Sequence, residues 1–75
     1  GIKLSIETDY PGVQMYTANY VENISGKNGR VYNQWAAVCF EPQFFPDAIN
    51  NPNFISSVCP KHKTFKKHIL YTLNT

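Results

Sequence analysis

The chain has 75 residues and a formal net charge of +2, so it can form one small domain or part of one. This charge is too low to indicate nucleic-acid binding, and no apolar run reaches the roughly 20 residues of a membrane-spanning helix. The N-terminal residues lack the pattern of a signal peptide. With only two cysteines, a dense disulfide framework is excluded. We therefore expect reduced thiols and a cytoplasmic protein.

The first third of the chain predicts two strands. Residues 3–8 alternate between apolar and polar side chains, which indicates a half-buried strand. Residues 9–12, with Pro11 and Gly12, predict a turn. Residues 13–21 are rich in aromatic and β-branched residues and predict the next strand. That strand would present Gln14, Tyr16 and Ala18 on one face, and Val13, Met15 and Thr17 on the other.

The remainder predicts two further strands and two loops. Residues 22–30 are polar and contain the turn signals Ser-Gly and Asn-Gly. Residues 31–41 predict a strand buried on both faces, because the run from Trp35 to Phe40 is continuously apolar. The proline- and asparagine-rich segment 42–60 predicts a long irregular loop. Residues 64–73 predict the last strand.

These elements predict an all-β fold of antiparallel strands, with no helix. Four strands with two long loops leave sheet edges unpaired, and unpaired edges favour pairing with further strands. We therefore expect this chain to be part of a larger sheet.

Three segments resemble a known family: PGVQMYTANY, GKNGRVYNQWAAVCFEPQFFPDAINNPNF and TFKKHILYTL. Together, from Thr8 to Leu73, they are similar to the C-terminal end of the aldose 1-epimerase (galactose mutarotase) family. The resemblance implies a large β-sandwich of antiparallel strands, several times longer than this chain. Residues 1–75 are thus expected to be the C-terminal segment of an incomplete domain. One departure is Ala18, which stands where the family usually has glycine.

The resemblance also implies an activity, the interconversion of the α and β anomers of hexoses such as galactose and glucose, without a metal or other cofactor. Glu41 matches the family's general base, and Gln14 matches a residue that contacts the sugar. The family's general acid is a histidine farther upstream, which neither His62 nor His68 matches. The acid is therefore expected from the remaining N-terminal part of the domain, either in the same chain or on a separate one.

The residue types suit these roles on physical grounds. Glu41 follows an apolar strand, and we expect the strand to shield its carboxylate partly from water, which favours proton acceptance near neutral pH. The amide of Gln14 can both donate and accept hydrogen bonds, as neighbouring sugar hydroxyls require. Without the resemblance, a strand-end carboxylate facing water fits Glu41 better, and Gln14 could equally be an exposed strand residue.

The main alternative is a non-catalytic β module that binds carbohydrate or protein. Trp35, Phe44 and Phe45 could stack on a sugar, although core positions fit them better. Asp47 and Asn50 are expected to fix their own loop. Weaker patterns are a zinc site of Cys39, Cys59, His62 and His68, and a nucleic-acid surface of Lys61, Lys63, Lys66 and Lys67. We expect neither, and neither nucleic acid nor membrane as a partner.

Overall fold

The computed structural model describes residues 1–75 and contains six strands that form three two-stranded antiparallel sheets. Two single turns of 3-10 helix lie between strands, and the all-β prediction is confirmed. The structure has no helix with the length and apolarity needed to cross a bilayer. The strands are β1 (Lys3–Thr8), β2 (Gly12–Tyr16), β3 (Ile24–Ser25), β4 (Val31–Tyr32), β5 (Cys39–Gln43) and β6 (Ile69–Asn74).

The first sheet pairs the two ends of the chain. Strand β1 lies antiparallel to β6, with Thr8 opposite Ile69. The predicted strand 3–8 is confirmed. Its alternating residues give β1 one apolar face. The predicted strand 64–73 begins later, at Ile69, because β1 ends at Thr8 and residues 64–68 have no partner strand.

The second sheet pairs β2 with β5. Because side chains alternate along a strand, Val13, Met15, Phe40 and Pro42 share one apolar face, and Pro42 is buried there. The opposite face is mostly polar. The predicted strand 13–21 ends at Tyr16, because β5 begins opposite it and Ala18 adopts a left-handed backbone with φ of 58°.

The predicted continuous strand 31–41 is wrong. A turn interrupts it, since the N–H of Ala36 donates to the carbonyl of Asn33 (3.1 Å) and Trp35 has a φ of 63°. Trp35 is 70% exposed instead of buried. The chain regains strand geometry only at Cys39, and β5 then extends through Gln43 into the predicted loop 42–60.

The short third sheet is a hairpin of β3 and β4. Its loop contains a 3-10 turn, Lys27–Gly29, in which Asn28 and Gly29 both have positive φ. Asparagine and glycine tolerate this conformation better than other residues. The turn predicted from Asn-Gly is therefore confirmed, although the sequence did not predict the strand at 24–25.

The two longer sheets are linked by polar contacts. The hydroxyl of Tyr71 in β6 donates a hydrogen bond to the carbonyl of Phe40 in β5 (3.0 Å). At the turn between β1 and β2, the Asp9 carboxylate accepts a hydrogen bond from the N–H of His68 (3.0 Å). The ammonium of Lys67 lies 5.3 Å from the centre of the Phe44 ring, within range of a cation–π contact.

The chain is extended and has almost no core. Only three of its 75 residues are buried. Its radius of gyration is 16.6 Å, against about 11 Å for a compact domain of this length. The accessible surface of 6605 Å² exceeds the roughly 4,700 Å² of a compact 8.6 kDa protein by about 1,900 Å². The strands are thus held by pairing more than by packing.

Candidate active site

Gln14 and Glu41 lie directly opposite each other in the second sheet. They are Cα partners in the register of β2 and β5. Residues opposite each other in an antiparallel pair have Cα atoms about 4.5–5.5 Å apart and point to the same face. The two predicted site residues, separated by 27 positions in sequence, are therefore neighbours on one surface.

The same face carries other polar groups. Tyr16 lies opposite Cys39, and Gln43 lies opposite Gly12, so both pairs flank Gln14 and Glu41. The hydroxyl of Tyr16 accepts a hydrogen bond from the N–H of Tyr20 (3.2 Å). Neither Tyr16 nor Gln43 was predicted from the sequence as a site residue. The two-residue period of the strands could have identified both, since each is two positions from a predicted site residue.

Both predicted site residues are exposed. Glu41 forms no hydrogen bond or ion pair within the chain, so the expected shielding by the apolar strand is wrong for this chain. The amide nitrogen of Gln14 makes a single long contact, 3.5 Å to the carbonyl of Met15. The carboxylate and the amide are thus both available to a ligand.

A small cleft of about 140 Å³ adjoins Gln14. Phe45 lies over Gly12, where a Cβ would come within 2.7 Å of the phenyl Cε1. The Phe45 ring also contacts the Phe54 ring, with centroids 5.1 Å apart. Glycine at position 12 therefore allows this aromatic pair to close one side of the cleft. The lining residues are Gly12, Val13, Gln14, Gln43, Phe44, Phe45 and Pro46.

The loop that follows β5 is fixed by Asp47, as predicted from its sequence. The Asp47 carboxylate accepts a hydrogen bond from the side-chain amide of Asn50, and the Asn51 amide donates to the Asp47 carbonyl (2.7 Å). Asp47 itself has a φ of 59°, a conformation that aspartate tolerates better than most residues. These contacts hold the loop beside the cleft.

The alternative metal site does not assemble. No group of three or more histidine, cysteine, aspartate or glutamate side chains is placed to hold a metal ion, and Cys39 and Cys59 are free and exposed. His68 instead contacts Asp9, with its Nδ1 3.5 Å from the carboxylate. Lys67 is engaged with the Tyr10 and Phe44 rings.

Comparison with known proteins then identifies the family. A sequence model described as Aldose 1-epimerase matches residues 1–72. The chain belongs to the aldose 1-epimerase family. The resemblance noted from the motifs around Gln14 and Glu41 is thereby confirmed.

Relatives within the aldose 1-epimerase family are much longer than this chain. Galactose mutarotase of Homo sapiens is 46% identical over 55 residues, which are 72% of this chain and 16% of the human protein. Bifunctional protein GAL10 of Kluyveromyces lactis is 35% identical over 75 residues, 99% of this chain and 10% of that protein. Aldose 1-epimerase of Haemophilus influenzae is 30% identical over 53 residues, which are 71% of this chain and 16% of the Haemophilus protein. No solved structure matched the chain.

Proposed function

We propose that this chain is the C-terminal segment of an aldose 1-epimerase that interconverts the α and β anomers of hexoses such as galactose and glucose. One observation carries the proposal. Gln14 and Glu41, which match the family's sugar contact and general base, face each other on the exposed polar side of β2 and β5. The names of several relatives, galactose mutarotase among them, support galactose as a substrate.

The proposed reaction needs only proton transfers. The Glu41 carboxylate accepts the proton of the anomeric hydroxyl while a general acid protonates the ring oxygen, and the ring opens to the aldehyde. Rotation about the C1–C2 bond and the reverse transfers close the ring as either anomer. Gln14 holds neighbouring hydroxyls through its amide donor and acceptor, so that C1 stays beside Glu41.

The general acid is proposed to come from further polypeptide, the N-terminal part of the domain, either in one chain with this segment or as a separate subunit. Neither histidine of this chain matches the family's acid, and His68 is engaged with Asp9. The cleft beside Gln14 has only about 140 Å³, below the roughly 300 Å³ at which ligand pockets begin. The remaining wall of the sugar site would come from the same polypeptide.

That polypeptide would also cover the apolar side of the sheets and complete a β-sandwich. Val13 and Met15 are 50% and 57% exposed on the face opposite Gln14. The excess surface of about 1,900 Å² is more than twice the roughly 800 Å² that each partner buries in a standard interface, and it is typical of obligate contacts. We propose a cytoplasmic location, which the two free thiols support.

Glu41→Gln in the natural protein that carries this chain tests the proposal. The amide cannot accept the proton, so kcat/KM for α-galactose, followed by polarimetry, should fall by about 10²–10⁴. Glu7→Gln is the matched control, since Glu7 is exposed in β1 and away from this face. It should leave the rate unchanged.

Two results would contradict the proposed function. Mutarotation retained in Glu41→Gln would remove the assignment of the base. Sugar binding by the unaltered protein with no mutarotation would favour the alternative, a non-catalytic carbohydrate-binding module.

A further inference from the structure

A second and larger cleft is lined by residues of the two loops that follow β2 and β4. It has a volume of about 460 Å³, within the roughly 300–1,000 Å³ typical of small-molecule sites. It shares no lining residue with the cleft beside Gln14. Only two of the six residues that line it are hydrophobic. The lining residues are Asn19, Tyr20, Val21, Glu22, Asn33 and Gln34.

Hydrogen bonds between the loops 18–23 and 33–36 form the cleft in advance of any ligand. The N–H groups of Val21 and Trp35 both donate to the carbonyl of Ala18 (3.2 Å each). The Gln34 amide donates across to the carbonyl of Asn19 (3.1 Å). A preformed site loses little conformational entropy when it binds a ligand.

The polar groups of the cleft retain unused donors and acceptors. The Asn19 amide and the Glu22 carboxylate make no hydrogen bond within the chain. The Asn33 oxygen accepts from the N–H of Asn23 (3.0 Å), which leaves the amide N–H groups of Asn33 available. Gln34 uses its amide nitrogen, which leaves its oxygen available. Sugar hydroxyls, each both donor and acceptor, complement such a mixed set.

Aromatic and electrostatic features narrow the ligand class. The Tyr20 ring is 87% exposed at the cleft and offers an apolar surface to the C–H face of a pyranose. Glu22 is the only charged lining residue, and no cationic side chain is present. The cleft therefore disfavours phosphate and other anions.

We propose that this cleft binds a neutral saccharide, at a site separate from Gln14 and Glu41. This binding goes beyond the proposed mutarotation and does not depend on it, because the two sites share no residue. The Asn19, Asn33 and Gln34 amides and the Glu22 carboxylate hold the hydroxyls, and Tyr20 packs against the ring.

Trp35, the single tryptophan of these 75 residues, provides the readout because it directly follows Gln34 and its N–H is bonded to the loop at Ala18. Its emission is isolated from that of the rest of the protein by comparison with a Trp35→Phe variant. Galactose and glucose, added to the natural protein that carries this chain, should change Trp35 emission to saturation, while inorganic phosphate should not. Asn19→Ala and Glu22→Gln should weaken this response roughly ten-fold or more. The matched controls Asn53→Ala and Glu7→Gln, at exposed positions outside the cleft, should leave it unchanged.

Gln14→Ala separates the two sites. The Trp35 response should survive this substitution, and it should survive even if Glu41→Gln shows that mutarotation is wrongly assigned. A response lost in Gln14→Ala but kept in the cleft variants would overturn the proposal, as would no response to either sugar. If a cleft variant fails to fold, the side-chain amide NMR signals of Asn19, Asn33 and Gln34 in the unaltered protein test the proposal instead. These signals should shift when the sugar is added. Unchanged shifts at saturating sugar would also overturn it.

Discussion

Asp9 connects two parts of the chain that are distant in sequence. Its carboxylate accepts a hydrogen bond from the N–H of His68, 59 positions away, and it lies 3.5 Å from the imidazole Nδ1. The neighbouring Thr8 hydroxyl donates to the carbonyl of the same histidine (2.8 Å). The turn after β1 is thereby bound to the residue that precedes β6.

These contacts lower the pKa of Asp9 below its ordinary value of 3.8. The hydrogen bond from the N–H of His68 is the largest cause, partial desolvation opposes it, and the charges of His68 and Lys67 add to it. A carboxyl group whose pKa is lower in the folded state stabilises the fold above its unfolded pKa. That stabilisation is lost as the pH falls through the folded pKa.

Asp9→Asn should therefore lower the melting temperature at neutral pH, because asparagine keeps an oxygen acceptor but loses the charge. The difference from the unaltered protein should shrink below about pH 3.8 and vanish once Asp9 is protonated. Melting curves between about pH 2 and pH 7 measure this. Glu7→Gln is the control with no such difference. A gap between Asp9→Asn and the unaltered protein that stays constant across this range would contradict the role of the ionised carboxylate.

Ala18 shows what residue-level sequence reasoning could not predict. It adopts a φ of 58° and is buried to 3% exposure, in a conformation that favours glycine. The one signal in the sequence is that the family usually has glycine at this position. A left-handed conformation at alanine carries no local signal, so the end of β2 at Tyr16 could not be predicted from residue type.

At the scale of elements, the strand pair β2–β5 has an apolar face for packing and a polar face that carries the candidate site. One face carries Val13, Met15 and Phe40, and the other carries Gln14 and Glu41. This separation was predictable for β2 because its alternation is regular. The pairing with β5 was not, since sequence alone does not say which strands become neighbours.

The same limit explains the wrong strand at 31–41. An apolar run predicts burial, but residues are buried only if other elements cover them. Trp35 lies in a turn and is 70% exposed because nothing within these 75 residues packs against it. Strand β1, by contrast, was predicted with its bounds because its alternation and the following turn agree.

The hydrogen bond from Tyr71 to Phe40 should stabilise the contact between the two longer sheets. Tyr71→Phe removes only the hydroxyl and should reduce the free energy of unfolding by about 0.5–1.5 kcal/mol, measured by urea denaturation of the natural protein. Tyr20→Phe is the matched control, because its hydroxyl has no partner and its ring is 87% exposed. Equal effects of the two substitutions would show that this bond does not link the sheets.

At the scale of the whole molecule, the strands are paired but enclose almost no hydrophobic core. Three buried residues and a radius of gyration of 16.6 Å are not those of a compact domain. Two-stranded sheets are only marginally stable alone. The exposed apolar face of β2–β5 and the shallow cleft beside Gln14 are both explained if further strands pack there.

We propose that Glu41 acts as the base in a mutarotase site completed by further polypeptide. Native mass spectrometry of the protein purified from its source, combined with polarimetry on the same sample, tests it most directly. We expect an active species heavier than the 8.6 kDa of this chain. A species of 8.6 kDa that catalyses mutarotation alone would contradict the proposal that further polypeptide supplies the general acid and the remaining wall of the sugar site. An inactive species of that mass would contradict the proposed enzyme.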